Sequence, residues 1–130
     1  MSMSQKIKVL VAAMLLSAST FVMAADIAED MDTIATNYGA VLKTDSIDRF
    51  KEGLQGMRVA ALDAQKGIPS KLSSKGPDSA EVKDFRHGLT ILIDQIDQSL
   101  ALANQGKLEE ARKVAQEFKV TRDVYHKKYR

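Results

Sequence analysis

Residues 82–103, VKDFRHGLTILIDQIDQSLALA, carry apolar side chains at Val82, Phe85, Leu89, Leu92 or Ile93, Ile96, Leu100 and Ala103. The steps alternate between three and four residues, which returns each side chain to one face of an α-helix. Three other segments repeat the pattern. The first runs through Ile27, Met31, Ile34, Tyr38 and Val41 or Leu42, and the second through Ile47, Phe50, Leu54, Met57, Ala61 and Ala64 or Gln65. The last runs through Leu108, Ala111, Ala115, Phe118, Arg122, Tyr125 or His126, and Tyr129. This is the seam spacing of bundled helices, and no strand-like alternation competes with it.

Both prolines, Pro69 and Pro77, fall in GIPSKLSSKGPDS (67–79), the one long break. Shorter turn signals stand at Thr44-Asp45-Ser46 and Asn104-Gln105-Gly106. Asp78 and Glu81 have the spacing of a capping box for the third helix, and Gly106 suits the position just past a helix end. Gly39, Gly53 and Gly56 lie inside expected helices at a cost of about 1 kcal/mol each against alanine, and read as tolerated weak spots rather than points of close helix approach. Short links make sequential helices antiparallel. The expected fold is all-α, an up-down-up-down antiparallel four-helix bundle.

Residues 1–24 stand apart from that pattern. Lys6 and Lys8 precede the apolar run VLVAAMLLSASTFVM, and Val22-Met23-Ala24 has the small-residue character of a signal peptidase site. Ser17, Ser19 and Thr20 break the run short of the roughly 20 residues a membrane span needs. A cleaved signal peptide (1–24), a mature domain (25–130), periplasmic location and no membrane insertion after cleavage follow as expectations. Without Lys6 and Lys8, 17 basic residues face 17 acidic ones, so charge gives no reason to expect nucleic acid. There is no cysteine, so stability rests on packing, and thiolate metal sites and covalent c-type haem attachment are excluded.

Catalytic templates are missing as well. The sequence has no glycine-rich phosphate loop, H-E-x-x-H or nucleophile elbow, and no Glu-x-x-His pair on its inward positions. No enzymatic turnover is expected. The acidic residues Glu29, Asp30, Asp32, Asp94, Asp97, Glu109 and Glu110 mostly fall off the stripes and read as a solvated face. Met31, Met57, His87 and His126 remain as soft or nitrogen ligands. Met57 reads as core filler, and His87, about 200° round the helix from its stripe, as solvent-facing.

Taken singly, Met31 reads as core and His126 as a wet residue near a terminus. Bundle topology brings the start of helix one and the end of helix four to the same end on neighbouring helices. At a rise of about 1.5 Å per residue the two then lie within roughly 3 Å of one level. Methionine and histidine are a ligand pair used by haem iron. Leu62, Gln65, Lys66, Phe85 and Leu89 reach the same end, with Ile68, Pro69 and Leu72 of the long loop as a cap. Arg122, one turn before His126, either meets a haem propionate or is simply exposed.

At these residues the chain resembles the cytochrome b562 family. The likeness lies in ADIAEDMDT (25–33), MRVAALDAQK (57–66), PDSAEVKDFRHG (77–88), LANQGK (102–107) and TRDVYHKKYR (121–130), in order across the mature region. The resemblance implies one non-covalent haem b, axial ligation by Met31 and His126, and periplasmic electron transfer to a redox partner protein the sequence does not identify. It also implies a second aromatic beside the haem where this chain has Leu89. A monomer is expected, since nothing demands an oligomer. Two other readings compete: a helical adaptor with Met31 merely in the core, and a haem sensor or sequestering bundle using the same pocket.

Overall fold

The computed structural model describes residues 26–129, so the expected signal peptide lies outside the described residues. Five α-helices make up the fold: α1 (Ile27–Lys43), α2 (Ile47–Ala64), α3 (Ala80–Asn104), α4 (Leu108–Gln116) and α5 (Phe118–Tyr129). One 3₁₀ turn, Ser70–Leu72, interrupts the long loop. The helices α1, α2 and α3 and the pair α4–α5 form the four rods of an all-α bundle, with no strand among the described residues. Among the described residues, no helix is long and apolar enough to cross a membrane.

The helix starts follow local chemistry. Asp26 accepts from the Glu29 N–H at 3.0 Å, Ser46 from Arg49 and Ser79 from Val82, both at 3.3 Å. Each such cap satisfies one otherwise orphaned donor and contributes about 1 kcal/mol. The cap of α3 is therefore Ser79 and not Asp78. Glu81 does not reach back over the helix start; its carboxylate pairs with Lys75 at 3.0 Å. At the other end of α3, Gly106 adopts φ +79°, its N–H meets the Ala103 carbonyl, and the Lys107 N–H meets Leu102. That is a Schellman close, which the left-handed glycine makes possible.

The stripes turn inward as their spacing predicts. Val41, Phe50, Leu54, Ala61, Ala64, Val82, Ile96, Ala111 and Ala115 have no exposed surface. Where the pattern left a choice, Val41 is buried and Leu42 is exposed. Two buried hydroxyls tie helices together: Ser99 donates to the Ala111 carbonyl at 2.8 Å, and Tyr38 to the Ala115 carbonyl at 2.9 Å.

Two features depart from the pattern. A single fourth helix was expected, yet it is divided at Glu117, where i→i−3 bonds tighten the turn (Glu117 to Val114, Val120 to Glu117). The internal glycines also differ among themselves. A Cβ on Gly53 would come within 2.6 Å of Val41 Cγ2, and one on Gly56 within 2.9 Å of Asn37 Nδ2. Those two let α1 and α2 approach closely; Gly39 meets nothing within 4 Å and is a weak spot only.

Candidate functional site

A cavity of about 830 Å³ opens at the end of the bundle shared by the start of α1 and the end of α5. This lies in the range of roughly 300–1,000 Å³ over which proteins enclose cofactors. Met31 lines one wall from α1, with Ile27, Ile34 and Tyr38 along the same face. Opposite, α5 supplies Phe118, Arg122, Tyr125, His126 and Tyr129. The floor is Met57 from α2, and the third side is Phe85, Gly88, Leu89 and Leu92 from α3.

Met31, Arg122 and His126 therefore line one cavity; bundle topology had brought the first and last to one end, and left Arg122 open. Met31 is partly buried against the core cluster, a result of its place one turn before Ile34 on the inward stripe. Met57 is core, as expected, and at 1% exposure also closes the cavity floor. His87 is exposed, as its position off the stripe required. Ile68 and Pro69 cap the cavity, whereas Leu72 is buried in the core without lining it. Leu62, Gln65 and Lys66 do not reach it; Gln65 instead bonds the Arg86 carbonyl and Thr90 Oγ1. The Arg122 guanidinium, 37% exposed, meets Asp123 at 3.2 Å and remains at the cavity wall.

The seat of α5 is the feature that periodicity does not reveal. The Tyr125 ring lies directly on the backbone of Gly88, where an added Cβ would fall 2.5 Å from the ring. One turn on, the Tyr129 hydroxyl donates to Asp84 Oδ2 at 2.5 Å, and Lys128 Nζ meets the same oxygen at 3.1 Å. These bonds hold the Asp84 carboxyl below the usual range, the Tyr129 bond first, while the carboxylate pushes the Tyr129 phenol up to about 12. Phe85 meets Tyr129 edge-on at 6.2 Å. A glycine inside a strongly helical segment, beside the stripe residue Leu89, was the signal available for Gly88.

The acidic start of α1 is not uniformly solvated. Asp30 is partly buried beside Asp63, and its Oδ2 is buried without a hydrogen-bond partner. Burial first, then the nearby Asp63 carboxyl, push the Asp30 carboxyl up to about 6.

The chemistry of the wall fits a flat, largely apolar prosthetic group with a metal at its centre. The surface is aliphatic and aromatic, one thioether and one imidazole stand on separate helices, and Arg122 offers a cation for an acidic substituent. Such a site defines a cofactor-binding helical bundle. The cytochrome b562 family model matches residues 26–130. A probable soluble cytochrome b562 from Yersinia pestis is 61% identical over 128 residues, covering 98% of this chain and all of the relative. A second such protein of that organism is 41% identical over 117 residues, covering 90% of this chain and 91% of its own. The chain belongs to the cytochrome b562 family, a family of haem-binding cytochromes.

Proposed function

We propose that this protein carries single electrons in the periplasm, holding one non-covalent haem b between the Met31 thioether and the His126 imidazole. The observation that carries the reading is that these two side chains, from opposite ends of the chain, line the same cavity. Bound there, haem supplies a one-electron couple at its iron. The chain's part would be to hold the Met31 and His126 donors on packed helices and to keep oxygen and substrate from the metal. A thioether donor would favour the ferrous state and raise the potential. Apolar walls from Ile34, Met57, Phe85, Leu89 and Leu92 exclude water, and Arg122 would pair with a propionate at the rim. Leu89 is an aliphatic contact at 6% exposure where the family resemblance implies an aromatic, so at this position the wall would pack on the group without ring stacking.

The test is an optical titration with haem. Low-spin six-coordinate bands in the parent, lost on Met31→Ala and on His126→Ala, are expected. No uptake by the parent, or bands unchanged in both variants, refutes the reading. Arg122→Gln should retain the low-spin bands and weaken haem binding.

A further inference from the structure

The helix carrying Arg122 and His126 is a separate segment from α4, and Tyr38 of α1 bonds the chain beside that division. Tyr38 is 8% exposed, and its phenol donates to the Ala115 carbonyl at 2.9 Å. In an unbroken helix that carbonyl would accept from the Lys119 N–H, four residues later. The Lys119 N–H is instead near the phenol oxygen; burial pushes the phenol up, and the Arg122 charge and then this N–H partly offset that push. The hydroxyl thus lies in the ladder where α4 stops at Gln116 and α5 begins at Phe118. A side chain inserted among i→i−4 bonds is an established cause of helix breaks.

The direction of α5 after this break is then held from both ends. The Phe118 ring packs on Tyr38 at 5.7 Å. Farther along, Tyr125 on Gly88 and Tyr129 on Asp84 seat the segment on α3. His126 lies within that seated stretch, so the angle set at the break is carried to it.

We propose that Tyr38 is a positioning residue for His126: its hydroxyl opens the fourth helix at Glu117 and thereby sets the direction in which α5 presents the imidazole to the cavity. The inference rests on the haem reading above and deepens it. Tyr38 lines the cavity but is assigned no contact with the iron.

The deciding variant is Tyr38→Phe, which keeps the ring and its Phe118 contact and removes only the O–H. Without haem, the Lys119 amide should exchange with solvent about tenfold more slowly, as its N–H regains the Ala115 carbonyl. With haem, binding should weaken about tenfold and part of the low-spin signal should give way to high-spin iron, because the ligand is displaced from its productive angle. Unchanged exchange at Lys119 overturns the wedge. Slower exchange with parent-like haem affinity and spectrum overturns the positioning role. A parent protein that takes up no haem defeats the haem reading and the ligand role with it, while Lys119 exchange still reports the wedge, so the two failures are told apart.

Discussion

Replacing Gly88 by alanine sets two effects of opposite sign against each other. Alanine is favoured over glycine inside a helix by about 0.8–1 kcal/mol. Its Cβ, however, would sit 2.5 Å from Tyr125 Cδ1 and 2.6 Å from Cε1 and Cγ, against about 3.5–4.0 Å for ordinary carbon contact. The ring must retreat by roughly 1 Å. Its neighbour Tyr129 is tied to Asp84, so the retreat strains α5 as a whole. Overpacking of this kind costs about 1–3 kcal/mol, and the net expectation for Gly88→Ala is a loss of about 0–2 kcal/mol. Urea unfolding of the haem-free protein reads this as a lower midpoint at unchanged slope. In a Tyr125→Ala background the obstacle is gone, and the same change should stabilise by about 0.5–1 kcal/mol. Gly39→Ala, with nothing within 4 Å, should stabilise by a similar amount in either background. If Gly88→Ala stabilises the parent as Gly39→Ala does, the reasoning that Gly88 seats α5 is refuted.

Three further outcomes are expected. Ser79→Ala should lower stability by about 1 kcal/mol in thermal or urea unfolding through loss of the Val82 cap, while Asp78→Ala changes it little. The Asp30 carboxyl is pushed up to about 6 from 3.8, so between those values the folded protein holds a proton that the unfolded chain has lost. Its penalty is full above about pH 7 and fades as pH falls towards 4. Asp30→Asn should therefore stabilise the haem-free protein at pH 7 by about 1 kcal/mol after solvent screening, with the difference vanishing near pH 4; a difference that grows in acid refutes the assignment. Phe118, at 1% exposure, fills the junction of α1 and α5, and Phe118→Ala should cost about 3–5 kcal/mol by denaturant unfolding.

Much of the bundle was legible in the stripes because helical periodicity reports which side chains share a face. Ile34, Tyr38 and Val41, or Val82, Phe85 and Leu89, were recognisable as inward before any neighbour was known. The pairing of Met31 with His126 followed from counting residues along antiparallel rods, which a regular rise per residue makes possible. Asp30 read as solvated because its place off the stripe says nothing of Asp63, which belongs to α2.

The sequence by itself determined the helical segments, the turns between them and the end of the bundle at which Met31 and His126 line one cavity. Each of these depends on local backbone preference or on spacing along one chain segment. Only the tertiary structure decided that Gly53, Gly56 and Gly88 are contact points while Gly39 is not, and that Tyr38 bonds the Ala115 carbonyl where the fourth helix divides. Those outcomes depend on the axial register and separation of two packed helices. Spacing within either helix carries no record of that register, because a shift of one rod along another leaves both stripes unchanged.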